Sequence, residues 1–235
     1  MTLDKAIKMV LRRTGLSETN TTFRNNARDY LNLAKNELTG DQVKWWWMEK
    51  TGTLTTAAST RLYTLATDFQ TPKSFRHTTD DRLIEIVPQS AIDIRDPDRD
   101  LTGSSRMVAF TQYKGASTAY EVELHPIPDT SSETITYEYY KSIADWSDSN
   151  DATELSAFFP TAVQTTIIHD ATAYYQSEKG DDESAVLSRS RHENSRRALL
   201  GMNGQMSGDH ITRTRRRDRP VITNDPFQPA EGSLS

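Results

Sequence analysis

The stretch from Pro160 to Gly180, PTAVQTTIIHDATAYYQSEKG, constrains this chain more than any other. Val163, Ile167, Ala171 and Tyr174 recur at helical spacing, with Ile168 and Tyr175 beside them, which places these side chains on one helical face. Pro160 suits a first helical turn, where its missing N–H would lack a partner anyway. Gly180 is a natural stop. A single apolar stripe cannot stay wet, so a helix over 160–178 needs a partner.

The best partner lies at the other end of the chain. Residues 2–14 read as a short helix: Thr2 can cap it, Asp4 suits its first turn, and Leu3, Ile7, Val10 and Leu11 share a face before Gly15 ends it. After a polar loop, Thr21 or Thr22 can cap a second helix, Phe23 to Leu38. There Phe23, Ala27, Tyr30, Leu31, Ala34 and Leu38 form the stripe expected to meet the 160–178 helix. Trp45, Trp46 and Trp47 follow. Three consecutive Trp cannot all face one core in a helix or a strand. Two can pack at a junction of helices and sheet while one covers a rim, or at least one can meet a neighbouring subunit. A sugar-stacking platform is a third use.

From Thr51 the hydrophobic period changes to two. Thr53–Thr56 and Arg61–Leu65 flank AAST and read as a hairpin. Asp68-Phe69 and Thr71-Pro72 read as a turn. Strands are expected at 75–78, 82–87, 106–113, 119–125 and 133–141. Val122 and Leu124 alternate with Glu121 and Glu123, and Ile135, Tyr137 and Tyr139 alternate with Thr136 and Glu138, as in antiparallel sheets with one wet face. Residues 142–159 form a polar connector pinned by Trp146, Leu155, Phe158 and Phe159. Asp181 or Asp182 can cap a last helix to about Leu200, on which Ala185, Ser188, His192, Ser195 and Leu199 line up weakly. A helix so polar needs neighbours outside its own fold or lines an aqueous surface.

The expected architecture is α+β. A discontinuous helical bundle (1–50 and 142–204) carries an inserted antiparallel β-sandwich or barrel (51–141) and ends in an extended C-terminal arm (205–235). Ordering that arm would cost ~1–2 kcal/mol per residue, roughly 30–60 kcal/mol in all, with little apolar surface in return. It is expected to gain order only on another chain.

Composition excludes several classes. The chain has no cysteine, so disulfides and thiolate metal sites are out. Its start lacks the apolar core of a signal peptide, and no window approaches the ~18 apolar residues of a membrane span. A soluble protein made in a cytoplasm is expected. The 235 residues are 35% hydrophobic and 26% charged, polar enough to suggest exposed segments or a surface shared over an assembly. The net charge of −5 offers no general pull toward nucleic acid.

No constellation points to catalysis. Asp93, Asp96, Asp98 and Asp100 are interrupted by Arg95 and Arg99 and read as a solvated, Arg-paired turn rather than a calcium loop. His77, His125, His169, His192 and His210 show no metal-ligand spacing, and no P-loop, dinucleotide fingerprint or nucleophile elbow is present. Neither metal nor cofactor is expected. The strongest charge run, Arg213, Arg215, Arg216, Arg217 and Arg219, lies in the arm. It can dock into an acidic protein groove, track phosphates, or simply be solvated.

The order of these parts resembles the head-to-tail adaptor proteins of tailed bacteriophages. The likeness runs from about residue 20 to 180 and rests on Leu54–Thr56, Tyr63-Thr64-Leu65, Asp68-Phe69, Leu124–Pro128 and Phe159-Pro160. The arm lies outside that pattern. The resemblance implies a non-enzymatic ring, often of twelve copies, in the neck of the virion beneath the portal. Such a ring joins the portal to the tail tube or nozzle, and genomic DNA passes through its lumen without specific recognition. The helical part would line the ring. On this reading Arg213, Arg215, Arg216, Arg217, Arg219 and Phe227 meet the portal, and Trp45, Trp46, Trp47, His192 and Leu199 face neighbouring subunits. Two rival readings stay open: a nucleic-acid-binding protein acting through the same arginines, and a tail-associated carbohydrate-binding or hydrolase module using the tryptophans.

Overall fold

The computed structural model describes residues 1–40, 43–113 and 119–206. The extended arm from residue 207 on, His210, the Gly115-Ala116 turn and all the predicted portal-binding residues from Arg213 to Phe227 lie outside the described residues; the first two positions assigned to the arm, 205 and 206, belong to the last helix. The described residues form five α-helices and seven strands: α1 (Leu3–Arg13), α2 (Thr21–Gly40), β1 (Glu49–Thr55), β2 (Leu62–Thr64), β3 (Phe69–His77), β4 (Arg82–Ile86), α3 (Gln89–Arg95), β5 (Met107–Tyr113), β6 (Tyr120–His125), β7 (Thr134–Lys141), α4 (Thr161–Glu178) and α5 (Asp182–Met206).

The helix ends follow from local chemistry. The Thr2 hydroxyl accepts from the Lys5 N–H and starts α1. Gly15, at a φ of 66°, turns the chain out of it. The α2 cap is Asn20 rather than a threonine, because its side-chain oxygen accepts the Phe23 N–H at 3.2 Å. Pro160 is the N-cap of α4, one position before the predicted first turn. Asp181 caps α5, which runs past Leu200 to Met206.

α4 is the hub of the helical layer and packs against α1, α2 and α5. Its burial is broader than one stripe. Gln164, Thr166, Asp170, Thr172 and Gln176 are buried along with Val163, Ile167, Ile168, Ala171 and Tyr175, while Tyr174 is half-buried. Three of the polar members are accommodated by local bonds: the Thr166 and Thr172 hydroxyls donate to the Ala162 and Ile168 carbonyls, and the Gln164 amide to the Phe159 carbonyl; Gln176 accepts from the Ser188 hydroxyl of α5. α5 buries the thin face that its sequence suggests, with Ala185, Ser188 and Leu199 inside and His192 and Ser195 half-buried.

The strands form one curled mixed sheet in the order β1-β7-β3-β4-β5-β6-β2, not a wholly antiparallel sandwich. Leu54 of β1 and Leu65 just after β2 share one core with Phe75, Val108, Val122, Ile135 and Tyr139, so the edges of the sheet bend toward a common interior. Three sequence expectations fail here. β1 and β2 do not pair as a hairpin; β1 pairs with β7 and β2 with β6. β4 and β5 are parallel, because α3 and the Asp-rich turn make the crossover between them. β3 begins at Phe69 and runs through Pro72, where a turn was expected. Its register on β7 shifts on both sides of the proline, and it meets β4 only from Phe75 to His77, which is how a strand tolerates a residue without an N–H.

Alternation holds on β7, where Ile135, Tyr137 and Tyr139 are buried. It fails on β6, where Glu123 and His125 are buried as well as Val122 and Leu124. Arg99 accounts for Glu123: its guanidinium pairs with both Glu123 and Asp93. Asp96 is likewise buried rather than solvated, and it accepts the backbone N–H groups of Asp100 and Leu101.

Candidate functional site

The connector between β7 and α4 is held by a row of polar side chains on α2. Arg24, Arg28, Asn32, Lys35 and Asn36 recur at helical spacing and so share a face. Arg24 pairs with Asp4 at 2.8 Å and Asp151 at 2.7 Å. Arg28 pairs with Asp148 and Asp151. Asn32 exchanges two hydrogen bonds with the Trp146 backbone. Lys35, with no exposed surface, donates to the Ile143 and Ala144 carbonyls and to Asp145, and its ammonium lies 5.4 Å from the Trp146 ring. Burial lowers the Lys35 pKa, and Asp145 opposes that shift. Trp146, Leu155 and Phe159 are buried as expected, but the sequence reading missed the cations that fasten the connector. Their only signal was spacing on α2 opposite an Asp-rich loop.

The tryptophans occupy a 3₁₀ turn, Trp46–Met48, and the residue before it. Trp45 is fully buried in the helical core, and its indole N–H donates to the Leu38 carbonyl at 2.8 Å. Trp47 stacks on Trp45 at 4.5 Å and meets Trp46 edge-on at 4.7 Å. Trp46 and Trp47 are half-buried. Asn203, near the end of α5, accepts the Trp46 N–H and donates to the Lys44 carbonyl, tying that end of α5 to the entry of the sheet. Of the residues predicted to face a neighbour, Trp45 and Leu199 are thus inside this chain. Trp46, Trp47 and His192 keep exposed surface.

The two flanks of α4 differ in charge. Toward α2 and α5, a cavity of about 260 Å³ is lined by Glu37, Asp170, His192 and Arg196, among others. Asp170 is 6% exposed and accepts no hydrogen bond among the described residues; His192 Nδ1 lies 3.6 Å away. Burial, then the neighbouring Glu37, pushes the Asp170 carboxyl up to about 7. The Tyr174 hydroxyl donates to Glu37 and the Tyr30 hydroxyl to Glu178. Burial and Glu178 push Tyr30 up to about 12, and Tyr174 rises for the same kind of reason. Toward α1, Arg13 stands 3.1 Å from His169. Burial and then Arg191 lower the Arg13 pKa; burial, Arg13 and Arg191 lower that of His169.

Among the described residues, no group of three or more His, Asp or Glu could hold a metal ion, and no helix is long and apolar enough to cross a membrane. The arrangement is one of buried fastenings and charged flanks.

The family is shown by comparison: a model of the SU10 adaptor protein family matches residues 1–223, and the chain belongs to that family. It is therefore placed among bacteriophage adaptor proteins, structural components of the virion. The match extends well beyond the stretch on which the resemblance rests and takes in Arg213 to Arg219, which the sequence reading left outside the family pattern. No curated protein matches the chain.

Proposed function

We propose that this protein is a head-to-tail adaptor whose copies form a ring, of twelve in the arrangement favoured by the resemblance, between the portal and the tail tube or nozzle. Genomic DNA passes through the lumen, and the C-terminal arm grips the portal through Arg213, Arg215, Arg216, Arg217, Arg219 and Phe227. The observation that carries this reading is the family match over residues 1–223. Three further features support it. α5 is a 25-residue helix whose buried face is only a few small or polar side chains, while Val186 and Leu187 are more than half exposed, which suits a helix shared with neighbours. The four long helices, brought together from both ends of the chain, act as the discontinuous bundle that carries the sheet. A net negative charge also suits a lumen that must let a duplex slide.

The test is a truncation. A chain ending at Met206 should keep the fold, read by circular dichroism and melting, and lose capture by purified portal. Undiminished capture of the truncated chain would refute the role given to the arm.

A further inference from the structure

The two flanks of α4 are complementary to each other. On one, Asp29, Glu37 and Glu178 are exposed and form no ion pair among the described residues; Glu37 and Glu178 only accept from Tyr174 and Tyr30. Their neighbours Tyr30 and Tyr174 stack at 6.4 Å, and a shallow cavity beside Tyr30 is lined by Asp29, Leu33 and Glu178. On the other, Arg13 and Arg191 are exposed and repel each other, with no carboxylate paired to either among the described residues. His169 and Asp170 are consecutive on α4, so their side chains diverge by about 100° and mark the two flanks. His169 sits with Arg13, and Asp170 with Glu37. His192 lies on the seam between them, within 3.6 Å of Asp170. Arg189 and Arg196 of α5 edge the acidic flank and limit it to the strip along α2 and the α4 C-terminus.

Unpaired charge of one sign on one flank and of the other sign on the opposite flank is what a head-to-tail contact between identical copies requires. We infer that the α1/α5 flank of one copy, through Arg13 and Arg191, docks on the α2/α4 flank of the next, through Asp29, Glu37 and Glu178. This assignment rests on the proposed ring and specifies which surfaces close it.

The experiment uses the full chain and reciprocal charge reversal. Variant one carries Arg13→Glu and Arg191→Glu; variant two carries Asp29→Lys and Glu37→Lys. Self-association is followed by sedimentation and native mass spectrometry, with melting to confirm folding and the neutral pair Asp29→Asn and Glu37→Gln as a milder version. Wild type should associate, less so as salt rises. Each reversed variant alone should associate at least about tenfold more weakly, the neutral pair should fall between, and an equimolar mixture of the two reversed variants should recover association with alternating composition. Folded variants that associate like wild type, or weakened variants that stay separate when mixed, would overturn the assignment while leaving the ring reading intact. Where the wild-type chain is a monomer alone, the same variants and mixture are compared on purified portal; a wild-type chain that neither self-associates nor assembles in multiple copies on the portal would overturn the ring reading, and this inference with it.

Discussion

Replacing Lys35 with Met keeps the aliphatic stem in place and removes the ammonium that holds the connector. In the wild type that ammonium makes three hydrogen bonds of 2.7–2.9 Å, two of them to the Ile143 and Ala144 carbonyls and one to Asp145. Hydrogen bonds involving a charged group contribute about 1.5–3 kcal/mol, and a carbonyl left buried without a donor costs about 1–3 kcal/mol. The contact with the Trp146 ring adds about 0.5–1 kcal/mol. Against these stands the desolvation of the ammonium itself, which the substitution relieves. Asp145 is 64% exposed and regains water when released, so it adds little to the loss. The net expectation is a destabilisation of about 2–4 kcal/mol. With a urea slope of about 2 kcal/mol per molar, the unfolding midpoint should fall by about 1–2 M. Amide exchange should accelerate most in residues 143–151, the segment that Lys35, Asn32 and Arg28 hold down. A Lys35→Met protein within about 0.5 kcal/mol of wild type, with the connector still protected, would refute the fastening role of Lys35.

Asp170 makes stability depend on pH in a stated direction. Its carboxyl keeps its proton up to about 7 when folded, against an ordinary value of 3.8. That contribution is therefore complete below pH 4 and is lost as pH rises through 7, with a ceiling of about 4 kcal/mol at 1.36 kcal/mol per unit. Asp170→Asn should flatten the stability profile between pH 4 and 7 and leave the variant more stable than wild type at pH 8. Parallel profiles in denaturant titrations would contradict this. Gly52 lies opposite Tyr137 in the β1–β7 pair, and a Cβ there would come within 2.4 Å of the ring. Gly52→Ala should cost about 1–3 kcal/mol by forcing Tyr137 off its rotamer and weakening its bond to the Ala66 N–H. An unchanged melting temperature would show that the ring has room to move.

The helices were legible because their signals are local. Thr2, Gly15, Pro160 and Gly180 mark ends within a residue or two, and apolar spacing on α1, α2 and α4 points to real contacts. The sheet was less legible because pairing is not local. AAST looks like a hairpin turn, but β1 finds its partner some eighty residues later in β7. The parallel step from β4 to β5 was hidden by an Asp-rich stretch that looks solvated yet contains α3 and a buried Asp96. The charged parts of the candidate site misled for one physical reason. Arg28, Lys35 and Glu123 are buried, and a charged residue's cost of burial is offset by partners distant in sequence, such as Asp148 and Asp151 for Arg28 and Arg99 for Glu123; Asp170 instead keeps its proton up to about 7. The tryptophan run was rightly singled out as unusual, but its first member serves the helical core.

In the proposed function this chain works as one of many equivalent copies seated on a portal. Native mass spectrometry of the full-length protein mixed with its purified portal, across a titration of the adaptor, tests it most directly. The expected result is a saturating complex holding a fixed, closed set of adaptor copies, twelve in the favoured arrangement. A complex that saturates at one adaptor per portal assembly, or no complex at all, would contradict it.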